Sequence, residues 1–167
     1  TYNGAIGVDA DTVAVKTMLE IAEEIGMSTG IVATSTITHA TPASFASHVD
    51  YRKKEYEIAK QYAQQEIDVI LGGGKKYWPD SLIEEYVKNG AQFIDNINDP
   101  LDEEKRILGL FAEGALPSVY DGRNPTTTEM AQLAIDRLDD NPNGFFVMIE
   151  ESQVDWGGHA NSAEYIQ

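Results

Sequence analysis

Residues 144–159, GFFVMIEESQVDWGGH, contain the pattern that decides the fold class of this chain. The stretch begins with five consecutive apolar residues, Phe145 to Ile149, and the run ends abruptly at Glu150 and Glu151. A short apolar run of bulky and β-branched residues predicts a strand buried on both faces, which is typical of a parallel sheet. Open α/β sheets bind their ligands beyond the carboxyl ends of such strands, so we expect Glu150 to lie at a functional edge.

Two further potential metal ligands, Asp155 and His159, follow the strand within the same stretch. We expect Gly157 and Gly158 to let this segment fold as a tight loop, so that Asp155 and His159 face one point. An Asp and His pair suits a zinc-like ion, whereas the lone carboxylate of Glu150 suits a harder ion. The spacing alone leaves open the alternative that the glutamates are a solvated strand end and that the Asp and His spacing is accidental.

The rest of the chain alternates predicted strands with predicted helices. The strands are predicted at 30–36, 67–71, 92–94, 107–111 and 145–149, and the helices at 11–26, from Thr41, from Arg52, at 81–88 and after Thr126. Asp11 and Thr41 are the expected N-caps of their helices, and Thr126 opens a capping box with Glu129. The run 72–74, three glycines, lacks the spacing of a phosphate-binding loop and is interpreted as a tight turn leaving a strand. The alternation predicts a single α/β domain with three α/β/α layers, in which a mostly parallel sheet has helices on both faces.

Composition excludes several classes of partner. The chain has 167 residues and a formal net charge of −16, so it repels nucleic acid and anionic membranes. It contains no cysteine, which excludes a disulfide framework and a thiolate metal site. No apolar run approaches the roughly 20 residues of a membrane span, and the sequence shows no signal peptide.

Two well-separated motifs resemble those of the alkaline phosphatases. They are Glu150-x-x-x-Val154-Asp155-Trp156-x-x-His159-Ala160-Asn161 and Thr38-His39-Ala40-Thr41-Pro42-Ala43 continuing to Arg52, and the opening TYNGA matches as well. The resemblance implies that Thr41 and Glu150 are magnesium ligands and that Asp155 and His159 bind one of two zinc ions. It also implies that Arg52 holds the substrate phosphate.

Three other positions in these motifs bear on the site. The residues matching His39 and Trp156 vary among members of the family, and the resemblance implies that His39 tunes the magnesium site without contacting the ion. Glu151 stands where the family usually has Gly, so we expect the local backbone angle or packing to differ.

Arg52 has a physical rationale of its own, because a planar guanidinium binds two phosphate oxygens at once. The alternative is that Arg52 is an ordinary charge at a helix start.

The implied activity is metal-dependent hydrolysis of small phosphate monoesters through a phosphoserine intermediate, with two zinc ions and one magnesium ion. The resemblance further implies an extracytoplasmic location and is compatible with a homodimer. Two alternatives stay open, namely a related metal-dependent hydrolase or mutase of the same superfamily, and a non-catalytic α/β binding module.

The resemblance also places the chain within a larger enzyme. The family's serine nucleophile precedes the segment that matches TYNGA, so residues 1–167 correspond to the central part of one catalytic domain that is truncated at both ends. One zinc site and the magnesium site are then only partly present, and we expect the chain alone to be inactive. Strand edges bared by the truncation predict self-association.

Overall fold

A five-stranded parallel sheet organises the computed structural model, which describes residues 2–166. Its strands are β1 (Ser28–Thr36), β2 (Val69–Gly73), β3 (Ala91–Ile94), β4 (Arg106–Leu110) and β5 (Phe145–Glu150), in the order β3-β4-β2-β1-β5. All four strand pairs are parallel. The helices are α1 (Met18–Glu24), α2 (Ala40–Ala43), α3 (Glu55–Ala63), α4 (Asp80–Lys88), α5 (Thr127–Leu138), α6 (Ser152–Ala160) and α7 (Ala163–Ile166), with a 3-10 turn at Lys75–Tyr77.

The side chains of the central strands alternate between two apolar cores, because successive residues of a strand point to opposite faces. Ile31 and Ala33 belong to one core, and Val32 between them belongs to the other. The first core is closed by buried side chains of α1, α3 and α4, which include Leu19, Ile58, Tyr62, Leu82 and Tyr86. The second is closed by Met130, Ala134 and Leu138 of α5. The predicted α/β fold, with a parallel sheet and helices on both faces, is therefore confirmed.

Strand β5 is parallel, as predicted, but the prediction that it is buried on both faces is wrong. It lies at one end of the sheet and pairs only with β1 among residues 2–166. Met148 is its one buried residue, whereas Ile149 is 42% exposed. An apolar run shows that both faces of a strand are apolar. It does not show whether other parts of the fold cover those faces, or whether the strand pairs on both of its edges.

The first helix starts later than predicted. Asp11 is no N-cap: the backbone N–H groups of Asp11 and Val13 donate to the carboxylate of Asp9, each at 2.9 Å, and hold a turn there. Helix α1 begins at Met18, and Thr17 forms its capping box with Glu20. The turn at Asp9 precedes α1, so the helix is shorter at its N-terminus than the apolar spacing predicted.

Two other helices also begin away from their predicted starts. The N-cap of α2 is His39 and not Thr41, and α2 is a single turn. Val49, which follows α2 in the chain, makes an antiparallel bridge with Ile6. Helix α3 begins at Glu55 and not at Arg52. The capping box of Thr126 and Glu129 is confirmed at the start of α5. None of the helices within residues 2–166 combines the length and apolar character that a membrane crossing requires.

His48 links the segment before α1 to α1 itself through its two ring nitrogens. Nδ1 lies 2.6 Å from the carbonyl oxygen of Gly7, and Nε2 lies 2.9 Å from Oε1 of Glu20. Only the protonated ring can donate to both acceptors. Burial lowers the pKa of His48, but the hydrogen bonds and the charge of Glu20 outweigh it, so this pKa is raised above 6.5. Burial raises the pKa of Glu20, but the bonds from His48 and Thr17 bring it below 4.5.

We expect the contact between His48 and Glu20 to stabilise the fold fully between about pH 4.5 and 6.5. The contribution is lost as the pH rises through the folded-state pKa of His48, and also as it falls through that of Glu20. His48→Gln should lower the free energy of unfolding by about 0.5–1 kcal/mol near pH 6, and by less near pH 9. Urea denaturation at both pH values measures this, with the exposed His159→Gln as control. A deficit that is as large near pH 9 as near pH 6 would contradict the prediction.

Candidate functional site

Two segments that are distant in sequence meet at the carboxyl edge of the sheet because β1 and β5 are neighbours. The loop after β1 carries His39 and leads into α2, and β5 ends at Glu150 and leads into α6. The register pairs Ala33 with Glu150, and the hydroxyl of Ser35 lies 3.5 Å from Oε2 of Glu150. The two motifs therefore lie at the same edge of the sheet, where Glu150 was expected.

Asp155 and His159 lie in a helix, so the predicted glycine loop is wrong. Both residues belong to α6 and are four positions apart, which places them on one helix face. Oδ1 of Asp155 is 3.6 Å from Nε2 of His159, and the two side chains are 71% and 81% exposed. The pair therefore faces one point, as expected, although helical spacing rather than a tight loop brings it together.

Gly157 has a packing role in α6. A Cβ on this residue would lie 2.7 Å from Cγ1 of Ile166 and 2.9 Å from Cδ1 of Tyr165. The absence of a side chain lets α7 pack closely against α6. The glycine that suggested a loop in the sequence is thus explained by a helix–helix contact.

The Asp155 and His159 pair fits a zinc ion in spacing and in chemistry. A tetrahedral ion about 2.0–2.1 Å from each ligand atom separates them by about 3.4 Å, which is close to the observed distance. Within residues 2–166, no group of three or more His, Cys, Asp or Glu side chains is arranged to hold a metal ion. The pair would thus be part of a coordination sphere and not a complete one.

Glu150 and Thr41 offer oxygen ligands of the kind that magnesium prefers. Glu150 is partly buried at the end of β5, and Thr41 is exposed on α2. They belong to the two segments that β1 and β5 bring to the same edge.

Arg52 and Trp156 both contact His39, which joins the two motifs directly. Nη2 of Arg52 lies 3.2 Å from Nε2 of His39, and the rings of His39 and Trp156 meet edge to face with centroids 6.0 Å apart. Because the guanidinium can only donate, Nε2 of His39 accepts and the ring proton resides on Nδ1. That Nδ1 is buried and has no hydrogen-bond partner among the described residues.

Glu55 fastens the loop after β1 and was not predicted from the sequence. Its Oε2 accepts hydrogen bonds from the hydroxyls of Thr36 at 2.6 Å and Thr38 at 2.7 Å. Glu55 opens α3, three residues after Arg52. One carboxylate thereby ties the loop that carries His39 to the segment that carries Arg52. A glutamate in a run of charged residues gives no sequence signal for such a role.

Glu151 is held by Arg123, a partner that no motif in the sequence indicates. It forms an ion pair with Arg123, whose side chain is 2% exposed, and accepts a hydrogen bond from Thr34 at 3.1 Å. Burial raises the pKa of Glu151, but these contacts and one from Thr127 lower it below its ordinary value. The backbone of Glu151 has φ −95° and ψ 82°, so a side chain causes no strain where the family usually has Gly. The Glu151 side chain therefore adds packing contacts at this position without backbone strain.

A family model of alkaline phosphatases matches residues 1–166. The chain belongs to the alkaline phosphatase family. This confirms the membership that the two motifs predicted.

Individual alkaline phosphatases resemble the chain in sequence and in fold. Alkaline phosphatase 3 of Bacillus subtilis is 46% identical over 173 residues, which cover 96% of this chain and 37% of that protein. The alkaline phosphatase of the Antarctic bacterium TAB5 superposes with a TM-score of 0.91 at 38% identity, covering 99% of this chain and 51% of that one. A TAB5 variant with a histidine replaced by aspartate, with Mg bound in its M3 site, superposes with a TM-score of 0.89 at 39% identity over 99% of this chain and 50% of its own. The chain thus spans between about a third and a half of these relatives.

Proposed function

We propose that this chain supplies part of the metal and phosphate site of an enzyme that hydrolyses small phosphate monoesters. The observation that carries the proposal is the contact of Arg52 and Trp156 with His39, because it joins the two family motifs at the carboxyl edge of the sheet. Family membership and the incomplete coverage of the relatives support a larger enzyme around these residues. We propose an extracytoplasmic location on the same family basis.

Each residue of the site has a proposed role that its chemistry supports. Asp155 and His159 would hold a zinc ion, and Thr41 and Glu150 would contribute to a magnesium site. Divalent ions at such sites supply Lewis-acid stabilisation of the charge on phosphoryl oxygens. Arg52 would bind two phosphate oxygens through its guanidinium. Its contact with His39 would orient the guanidinium before phosphate binds.

The remaining chemistry of the proposed reaction lies outside these residues. A serine elsewhere in the enzyme would attack the phosphorus, break the ester bond and release the alcohol, which leaves a phosphoserine. Water would then hydrolyse the phosphoserine, restoring the serine hydroxyl and releasing inorganic phosphate. The net charge of −16 disfavours nucleic acids and other large polyanions as substrates. We propose that the 167-residue chain alone has no phosphatase turnover, because the proposed ligand set has two members for each ion and the proposed nucleophile is not among these residues.

Zinc titration of the chain tests the proposed ligands. Calorimetry should show weak binding of one zinc ion, because a catalytic zinc normally has three protein ligands and α6 offers two. Asp155→Asn and His159→Gln should each weaken the affinity by at least about tenfold. Asp140→Asn removes the same charge from an exposed position outside the site and should leave zinc binding unchanged. Equal affinities in Asp155→Asn and Asp140→Asn would show that the proposed ligand set is wrong.

Self-association of the chain is expected from the free edge of β5. Its outer edge has no partner strand within residues 2–166, and Ile149 is 42% exposed beside it. Unpaired edges favour strand addition, whereas the net charge of −16 opposes it. Static light scattering should therefore show association that grows with salt, because salt screens the repulsion. Ile149→Lys should suppress it, and a monomer at every salt concentration would contradict the prediction.

A further inference from the structure

We infer that Glu151 and Arg123 form a positioning pair that fixes the direction of α6, and with it the placement of Asp155 and His159. The inference rests on the proposed function, since the metal-ligating role of α6 gives its direction a chemical consequence. The pair itself is outside the set of proposed ligands.

Glu151 and Arg123 belong to a network of hydrogen bonds at the start of α6. The guanidinium of Arg123 contacts one carboxylate oxygen of Glu151 and donates to the carbonyl of Pro117 at 2.8 Å and to the hydroxyl of Thr127 at 3.0 Å. Thr127 donates to the same carboxylate oxygen. The other oxygen of Glu151 accepts from the hydroxyl of Thr34 in β1 at 3.1 Å. One carboxylate thus joins the end of β5 to β1, to the loop after β4 and to the start of α5.

The first turn of α6 is anchored at the same point. Glu151 is the N-cap of α6 and accepts from the backbone N–H of Gln153 at 3.3 Å. The backbone N–H of Ser152 donates to the hydroxyl of Thr34 at 2.9 Å, and the amide of Gln153 donates to the carbonyl of Thr34 at 3.2 Å. By contrast, Asp155 and His159 have largely exposed side chains. Among the described residues, the hydrogen bonds that join α6 to the sheet lie at its start.

A small rotation at this anchor has a large effect at the ligands. His159 is eight positions after Glu151, and at a rise of about 1.5 Å per residue this spans about 12 Å. A tilt of about 5° at Glu151 then moves the backbone at His159 by about 1 Å, which is outside the roughly 0.5 Å tolerance of a functional constellation. The anchored carboxylate thus controls whether His159 and Glu150 keep their relative placement.

Charge alone predicts a different outcome from positioning, and the two can be separated. If the pair acted only through its electric field, Glu151→Gln would weaken zinc binding and Arg123→Met would strengthen it. If it acts by fixing α6, both variants displace Trp156 from His39. Both also leave the zinc affinity of the 167-residue chain unchanged, because Asp155 and His159 lie on the same helix and move together. The double variant then displaces Trp156 no further than either single variant, because both remove the same contact.

The two tryptophans provide a direct readout of the position of α6. Trp156 lies on α6 against His39, and Trp78 is 1% exposed in the first apolar core. The 167-residue chain is labelled with 5-fluorotryptophan, and its two fluorine resonances are assigned with Trp156→Phe. Glu151→Gln and Arg123→Met should each shift or broaden the resonance of Trp156 and leave that of Trp78 in place. Zinc affinity by calorimetry should stay the same in both, because the two zinc ligands move together with α6.

Glu24→Gln serves as the matched control, since it removes the same charge from an exposed ion pair with Lys16. It should change neither the Trp156 resonance nor the zinc affinity. An unchanged Trp156 resonance in Glu151→Gln, or tighter zinc binding in Arg123→Met, would overturn the inference. If Arg123→Met moves both resonances by unfolding the chain, Glu151→Gln decides, because it keeps the side-chain volume and a hydrogen-bond acceptor. Zinc binding that is indifferent to Asp155→Asn would instead refute the proposed ligands, and the fluorine result would still report on the position of α6.

Discussion

Asp155→Ala and Arg52→Ala should both lower kcat/KM of an enzyme that contains this chain, but only the loss from Asp155→Ala should respond to added zinc. Arg52 contacts substrate oxygens in the proposed site and no metal ion. Charge-assisted hydrogen bonds of this kind contribute roughly 1.5–3 kcal/mol each, so the loss should be about ten- to a few hundred-fold. Asp155→Ala removes one of the two ligands on α6, so the loss should be larger.

The measurement is kcat/KM for an aryl phosphate at increasing zinc concentrations. It uses an enzyme that contains this chain and is as long as the relatives. Added zinc should partly restore Asp155→Ala by mass action and do nothing for Arg52→Ala. Lys53→Ala removes the neighbouring exposed cation and should have little effect on kcat/KM. Zinc rescue of Arg52→Ala, or equal losses in both variants without any response to zinc, would contradict the proposed division of roles.

The sheet was predictable from the sequence because its strands are short apolar runs between glycines and polar residues. The runs around Ile31, Ile70 and Leu108 lie within β1, β2 and β4. The number of neighbours of each strand was not predictable in this way. Phe145 to Ile149 is as apolar as an interior strand, yet β5 is an edge strand among the described residues.

Helix boundaries were predicted less well because local polar contacts compete for the same residues. The carboxylate of Asp9 accepts two backbone hydrogen bonds and holds a turn where helical spacing predicted a first turn. In α6 the error is the reverse, because a loop was predicted where the structure has a helix. Two adjacent glycines lower helix propensity, but the close contact of Gly157 with Tyr165 and Ile166 is only possible without a side chain.

The site was predicted as two motifs, whereas the groups that hold those motifs in place were not. Glu55, Arg123 and Thr34 contact partners between 17 and 117 residues away in the chain. No periodicity or short motif marks such a partner, because the contact exists only after the sheet has formed. The motifs identify the candidate ligands, whereas the structure identifies the residues that hold those ligands in place.

Gly73→Ala should destabilise the chain strongly, because β2 has no room for a side chain at this position. A Cβ on Gly73 would lie 2.2 Å from the carbonyl oxygen of Gly114, and 3.1 Å from both the Cα of Ala115 and the carbonyl oxygen of Ser35. These are backbone atoms, so no rotamer change relieves the contact. The prediction of a turn at residues 72–74 is wrong for two of the three glycines. Gly72 and Gly73 lie within β2, and Gly74, with φ +99°, has a turn conformation.

The expected cost of Gly73→Ala is about 1–3 kcal/mol or more of the free energy of unfolding, as for other insertions into a packed interior. Gly114→Ala is the matched control, because a Cβ there meets nothing within 4 Å and its φ lies outside the left-handed region. That control should leave stability unchanged or raise it by about 0.4–1 kcal/mol, since alanine restricts the unfolded chain. Urea unfolding measures both through the midpoint at constant m-value. If the two variants unfold at the same urea concentration, then the close approach of β2 to residues 114 and 115 does not explain the glycine at position 73.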